Sequence, residues 1–243
     1  MFNPALEVPL QYENFVDVVL TEDTWQSVMD ITKECATGLF LEPMSESHPL
    51  FKWRLATLEE EYNNYMIYTA PQMIPDVGRF ATGVVLASDD SKKGCAAGFI
   101  LYSRDFRSDT IVGIIGIAVR RDYRLQGVMT AMVGKLRETV RDISLSCSRD
   151  MVRAYHRLGF EVRGTQGAQI LMGWGGPGGD MAHFQAGSFD KMDSVQAELV
   201  KARSNLGDSY GKVFSDYVGI IHSETHKASA FFQKWKTDPT LLP

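Results

Sequence analysis

The chain has 243 residues, 44% hydrophobic and 23% charged, which is the balance of a folded globular protein rather than a disordered one. That length suits one large domain, or one domain with an appendage. A formal charge of −5 argues against nucleic acid as the main partner, because phosphate binding needs a basic footprint. The longest apolar run is too short to cross a bilayer, and the N-terminus lacks the basic-then-apolar plan of a signal peptide. Cys35, Cys95 and Cys147 are odd in number and widely spaced, so they read as buried, reduced thiols of a cytoplasmic protein. No Cys/His cluster has metal-ligand spacing. His222 and His226 stand four apart on a predicted helix, but two histidines do not make a site, and no metal is expected.

Taken in chain order, Phe15 to Leu20 (FVDVVL) reads as a first strand, and Thr21 as the N-cap of a helix over EDTWQSVMDITKECA, with acids in its first turn. A second helix is predicted between His48 and Met66, with Leu50, Trp53, Leu58, Tyr62, Tyr65 and Met66 as its apolar residues. Ala81 to Ser88 and Cys95 to Ser103 are strand-like runs joined by the turn DDSKKG. A nine-residue apolar strand follows, Ile111 to Val119, and then the polar turn RRDYRLQG, which runs directly into a helical pattern. Ile143 to Ser148 (ISLSCS) is another strand, followed by a helix around Tyr155 and two last strands around FEVRGT and QILMGW.

Five glycines and a proline in Gly173 to Gly179 (GWGGPGG) cannot hold a regular element. They mark a boundary, and the expected organisation is a domain over 1–175, a glycine-rich linker over 176–188 and a helical extension over 189–243. In the extension Phe189, Met192, Val195 and Leu199 recur at helical spacing. Tyr210, Val213, Phe214, Tyr217, Ile221, Phe231, Phe232 and Trp235 form a second stripe. Such stripes need a surface, either the core of the same chain or a second copy in a homodimer made through these helices.

The turn after the long strand carries the first chemical signal. The opening N–H groups of a helix have no partner inside it, and the aligned peptide dipoles place partial positive charge there. A strand, a turn with Arg124 and Gly127, and a helix start therefore make a cradle for a pyrophosphate. It is neither a P-loop nor a dinucleotide fingerprint, since GxxxxGK[ST] and GxGxxG are both missing. The second signal comes about twenty residues after the helix: RAYHRLGFEVRG, Arg153 to Gly164, behind the strand ISLSCS.

With these two motifs in order, the chain resembles the GNAT family of acyl-CoA-dependent N-acyltransferases. The family's cofactor motif reads roughly V-x-P-x-[YF]-[RQ]-x-x-G-x-[GA]. Here Val119, Tyr123, Arg124, Gly127 and Met129 occupy its positions. The next family motif reads roughly A-x-x-[FL]-Y-x-[KR]-x-G-F, and Val152 to Phe160, with Tyr155, Arg157, Gly159 and Phe160, follows it closely. The resemblance covers the chain to about Gly175. It implies an α/β (α+β) fold: a central mixed sheet flanked by helices in the order β-α-α-β-β-β-α-β-α-β-β, here with a C-terminal helical extension that the family does not cover.

It also implies acetyl-CoA as cosubstrate, no metal, and transfer of the acetyl group to a primary amine by direct attack in a ternary complex. Backbone groups of Ile117 and Val119 would bind the pantetheine arm and polarise the thioester carbonyl. The amides of Arg124, Leu125, Gln126, Gly127, Val128, Met129 and Thr130 would hold the pyrophosphate. Ser148 stands where the family often has an asparagine that contacts pantetheine. Tyr155 matches the tyrosine beside the cofactor sulfur; a phenol is protonated at neutral pH and can give its proton to the departing thiolate. Arg120, Arg121, Arg124, Arg149, Arg153 and Arg157 would flank the phosphates, and an otherwise acidic chain suits a cationic amine.

Two positions depart from the family. Met129 stands where glycine or alanine is usual, so its side chain either crowds the phosphate or turns to the core. The strand IVGIIGIAV carries no carboxylate where many members place a general base. Glu42, Glu46 and His48, in LEPMSESHP between the first two helices, are the substitute candidates. A solvated loop is the plainer fate of each. An alternative function stays open: a degenerate member that binds CoA, or serves as an interaction protein, without transfer. A third keeps the fold and takes a nucleobase or tRNA amine. The acceptor itself is not encoded in any motif, since acceptor walls vary freely on one fold.

Overall fold

The computed structural model describes residues 10–74, 78–92, 95–179, 184 and 187–238. The chain forms two compact units. One is drawn from residues up to Leu39 and from Tyr62–Arg141, and the other from Phe40–Glu61, Asp142–Gly178 and the segment from Phe184 onward.

The first unit contains β1 (Leu10–Val16), α1 (Glu22–Leu39), the end of α2 (Phe51–Ile67), β2 (Gln72–Ile74), β3 (Gly78–Phe80), β4 (Thr82–Asp89), β5 (Cys95–Arg104), β6 (Ile111–Val119) and α3 (Val128–Arg137). Strands β1, β4, β5 and β6 pair antiparallel in that order. β4 and β5 are buried along nearly their whole length, and Val84, Val85, Phe99, Ile100 and Leu101 have no exposed surface. Each such side chain contributes about 1.5–3 kcal/mol through burial, which holds this layer together.

Side chains alternate across a strand, so neighbours in β5 report opposite faces. Gly98 lies against Met132 of α3, while Phe99 meets Tyr62 of α2 edge-on, with ring centroids 6.0 Å apart. Helices therefore cover both faces of these strands. β6 has one extra residue, Ile115, against β5, where the register shifts from Leu101↔Gly116 to Tyr102↔Ile114. A Cβ on Gly116 would overlap the Tyr62 hydroxyl, so the helix can approach β6 this closely only over a glycine.

The first strand is displaced from its expected place. β1 ends at Val16 because Asp17 takes a left-handed backbone (φ 56°), which turns the chain. The run Val18-Val19 was expected as strand on its hydrophobicity, but Val18 donates its amide to Thr69 and Val19 is exposed. Thr21 caps α1 as expected, accepting the Thr24 amide at 3.3 Å. The β2–β3 hairpin was not anticipated from the sequence. Lys93 and Gly94 of the expected DDSKKG turn lie outside the described residues.

The second unit holds the first part of α2, β7 (Asp142–Cys147), α4 (Val152–Arg157), β8 (Glu161–Gln166), β9 (Gln169–Gly175), α5 (Asp193–Leu206) and α6 (Tyr210–Thr237). β9 pairs antiparallel with β7 on one side and β8 on the other, and both α4 and α6 pack on β8 and β9. The end of β9 is stapled. Asp142, buried at the start of β7, accepts the Gly178 amide at 2.7 Å, and Arg163 donates to the Gly176 carbonyl. Of the expected linker over 176–188, residues 180–183 and 185–186 lie outside the described residues.

The C-terminal helix is anchored through a buried ionic cluster. Glu42 accepts at one oxygen from both Arg54 Nε (2.6 Å) and the Tyr217 hydroxyl (2.5 Å). Glu42 and Tyr217 are each 5% exposed, so Glu42 is a buried, paired carboxylate rather than a solvated loop residue. Trp53 packs edge-on against Tyr217, and Phe214 lies beside it. Fold class thus follows the expectation: strands flanked by helices, with a long helix at the C-terminus.

Candidate active site

The candidate phosphate cradle lies in the first unit. β6 delivers the chain to Arg120, whose amide bonds the Ala97 carbonyl of β5 at 2.9 Å. A single 3₁₀ turn, Arg121–Tyr123, follows, and α3 starts at Val128. Between them Leu125 (φ 62°) and Gly127 (φ 82°) both take the left-handed region. For glycine this is free, and nothing lies within 4 Å of where a Cβ would stand, so conformation rather than crowding calls for glycine here. For Leu125 it is strained, by about 1 kcal/mol or more. Its side chain is fully exposed, so packing does not impose the strain.

The two left-handed residues turn the backbone so that α3 begins in the open. Gly127 has no side chain to cap the helix, and the amides of Val128, Met129 and Thr130 have no carbonyl a turn earlier. Arg124, Leu125, Gln126, Gly127 and Thr130 are exposed. Val128 is buried with Met132, Val133 and Leu136 on the core face of α3. Met129 is half-buried.

The loop is held from beneath by side chains. Tyr123, 4% exposed, donates its hydroxyl to Asp89 at 2.7 Å. Glu34 of α1 accepts the Arg121 amide at 3.1 Å and pairs with Arg120 at 3.3 Å. Gln126 reaches back to the Asp122 carbonyl at 2.7 Å. The Arg124 guanidinium folds onto the end of β6, donating Nε to the Val119 carbonyl at 3.0 Å and lying 3.6 Å from Cys35 Sγ. Cys35 itself points at the same carbonyl at 3.6 Å. Burial pushes the Cys35 thiol up, against the opposing pull of Arg124, so it stays a thiol and is not an activated nucleophile.

Ile117 and Val119, expected to face pantetheine, pair on the β5 side with Ile100 and Gly98. All the expected residues from Ile117 to Thr130 are thus brought together in one strand–turn–helix unit. Ser148 and Tyr155 belong to the second unit. Ser148 is exposed and opens the short 3₁₀ turn Arg149–Met151 that leads into α4. Tyr155 is 5% exposed, with its ring edge-on to Phe160 of the same motif at 5.8 Å. Burial, with a smaller effect from Cys147, pushes its phenol well above the ordinary range, so it is held as a neutral hydrogen-bond donor.

Among the described residues, two of the six arginines expected around the phosphates are tied to carboxylates: Arg120 to Glu34, and Arg149 to Glu224 at 3.4 Å. Sequence reasoning missed Asp89 and Glu34, because nothing local marks an acid as the support of a loop far along the chain. It also missed Glu61. That carboxyl sits two helical turns from Arg54 on α2, and burial raises it while Arg54 opposes the shift. Arg54 is already committed to Glu42, so two acids share one guanidinium. Among the described residues no group of three or more His, Cys, Asp or Glu is placed to hold a metal, and no helix is long and apolar enough to cross a membrane.

Solved structures similar to this chain include a GNAT-family acetyltransferase candidate from Desulfovibrio desulfuricans (16% identity, 69% of this chain, 99% of that chain, TM-score 0.47). Another is an acyl-CoA N-acyltransferase from Pseudomonas aeruginosa (15%, 68%, 99%, TM-score 0.45). A third is the diaminobutyrate acetyltransferase of Paenibacillus lautus, solved with L-2,4-diaminobutyric acid and coenzyme A (17%, 72%, 99%, TM-score 0.41). No curated protein matches the chain. The family model for the acetyltransferase (GNAT) family matches residues 25–160, a span that takes in the whole strand–turn–helix cradle and the Tyr155 motif. With more than half its length matched by that model, the chain belongs to the acetyltransferase (GNAT) family.

Proposed function

We propose that the protein is an acetyl-CoA-dependent N-acetyltransferase that acetylates a primary amine by direct attack in a ternary complex. The observation that carries this is the uncapped start of α3 behind two left-handed residues, in a chain of this family. Acetyl-CoA, when bound, supplies the acetyl group as a thioester.

The chain's own residues bind and orient it. The amides from Arg124 to Thr130 take the pyrophosphate, aided by the positive end of the α3 dipole. The residues present fit a diphosphate: the turn is open, its amides are unopposed by a capping side chain, and no acid stands on it beyond Asp122. Backbone groups of Ile117 and Val119 are assigned to the pantetheine arm. The Val119 carbonyl receives Arg124 Nε, so the guanidinium would have to yield that carbonyl to an amide of the pantetheine arm. Ser148 is the assigned side-chain contact to the same arm.

In the reaction the amine nitrogen bonds to the thioester carbon, the C–S bond breaks, the sulfur leaves as thiolate and the nitrogen gives up a proton. Tyr155 is assigned as donor to the sulfur. A phenol raised by burial does not release its proton ahead of the thiolate, so it stabilises the leaving sulfur by hydrogen bonding as charge develops there. β6 offers no carboxylate, and the amine's proton leaves through water or another group. Holding the two reactants together supplies much of the acceleration. The acceptor class that suits the acidic chain is a cationic amine, and a cytoplasmic location and a homodimer through the C-terminal helices complete the proposal.

Isothermal titration with acetyl-CoA tests the cofactor half; no heat at about millimolar cofactor, a weak limit for any specific ligand, removes the proposal. A panel of amines followed by free-thiol release tests transfer. A second function, a CoA-binding module without transfer, is favoured by the strand without a carboxylate. Titration heat with no thiol release across the panel selects it.

A further inference from the structure

Resting on the cofactor reading above, we infer that Asp89 and Tyr123 are a positioning pair for the phosphate loop: Asp89, at the end of β4, fixes through the Tyr123 hydroxyl the turn that aims the amides of 124–130.

The geometry is that of a strut. Asp89 is the last residue of β4 and is 1% exposed. One of its oxygens is tied locally, accepting the Ser91 amide at 2.9 Å and the Ser91 hydroxyl at 2.6 Å. The other accepts Tyr123 at 2.7 Å, across 34 residues of chain. These hydrogen bonds, Ser91's first, hold the Asp89 carboxyl below its usual range, so it is ionised and its bond to Tyr123 is charge-assisted. The Lys92 ammonium lies 5.0 Å from the Tyr123 ring centroid and fixes the ring from its face.

Tyr123 is the last residue before the loop, and it is the buried residue of the 3₁₀ turn. After it, Arg124 to Gly127 are all exposed and include two left-handed residues. Such a loop has little packing of its own to hold its aim. A buried tether at the residue just before it supplies that aim, and a phenylalanine, which the family motif also accepts at this place, would lose it while filling the same space.

The test uses the full-length protein and coenzyme A in titration calorimetry at about 20 °C, well below melting for an ordinary domain. Tyr123→Phe removes one oxygen atom. Losing a hydrogen bond to a charged acceptor is worth about a tenfold factor, and the expected result is about a tenfold rise in Kd for CoA, matched by KM for acetyl-CoA, with kcat at saturation unchanged. Asp89→Asn keeps an acceptor but loses its charge. It is expected to fall between, at about a threefold rise, and it carries the test if Tyr123→Phe does not fold. A merely structural role lowers the melting temperature and leaves Kd alone; variants with the Kd of the unaltered protein overturn the inference, whatever their melting temperatures. If the unaltered protein itself binds no CoA, the proposed function fails instead, and the two failures are distinct.

Discussion

Replacing Gly127 by alanine separates two ways in which the cradle can hold its shape. Gly127 sits at φ 82°, ψ 0°, at the start of α3. A methyl group there meets nothing within 4 Å, so steric overlap contributes nothing and the whole cost is backbone strain. For an L-residue in that region the strain is about 1–2 kcal/mol. If the loop keeps its conformation, stability falls by that amount, a drop of about 2–8 °C in Tm for a chain of this size, and CoA affinity is unchanged. If the loop relaxes to negative φ, Tm holds but the amides lose their aim; the same energy then appears as a roughly 5- to 30-fold rise in Kd. Gly134 is the control. It lies in the interior of the same helix, is exposed, has ordinary helical φ and has nothing within 4 Å of a Cβ. Gly134→Ala is expected to stabilise by about 0.5–1 kcal/mol. Differential scanning calorimetry and CoA titration on both variants decide the matter. A Gly127→Ala protein with unaltered Tm and unaltered Kd refutes the argument that this turn needs a left-handed residue.

Tyr155→Phe is expected to lower kcat by about 100-fold while leaving CoA affinity within twofold, as loss of a hydrogen-bond donor aimed at developing charge does; an unchanged rate removes Tyr155 from the chemistry. Tyr217→Phe withdraws one of two donors from the buried Glu42 oxygen. With Arg54 still in place the loss should sit near the low end of a charged hydrogen bond, about 1.5–2 kcal/mol, or roughly 3–8 °C in Tm, and a melting curve that does not move shows the bond to be idle. Glu61→Gln tests pH linkage. A carboxyl raised by burial binds its proton more tightly folded than unfolded, so the fold loses stability as pH rises from the unfolded value through the folded one. Glu61→Gln should therefore melt higher than the unaltered protein at about pH 8 and at the same temperature near pH 4. A stabilisation that does not change with pH would falsify that assignment of the burial cost.

Local order was legible where it is encoded locally. Thr21 announced the start of α1, and the apolar run of β6 followed by RRDYRLQG announced the cradle, because caps, turns and strands are chosen by residues a few positions apart. β1 was misplaced for the same reason in reverse. Hydrophobicity favoured Val18 and Val19, but the left-handed Asp17 ended the strand at Val16, four residues before the expected end at Leu20, and the pairing with β4 was already complete. Residues whose partners lie far along the chain were not legible. Asp89 is an ordinary acid before a turn until Tyr123 reaches it, and Glu42 is an ordinary loop acid until Tyr217 and Arg54 enclose it. Leu125 carries no sequence mark of its positive φ, since leucine is about the last residue one would choose for it.

The Glu42–Arg54–Tyr217 cluster also bears on how the protein is made. Glu42 and Tyr217 are 175 residues apart in the chain. At typical ribosomal speeds of about 5–20 residues per second, Glu42 waits roughly 9–35 seconds for its second donor to be synthesised. During that interval Arg54 is the cluster's other partner already made, and the aromatic cover from Phe214 and Tyr217 does not yet exist. The second unit, drawn from segments on either side of Tyr62–Arg141, therefore closes only after α6 has been synthesised. A nascent chain halted before α6 would present that half-built pocket to solvent, and to whatever chaperone attends it.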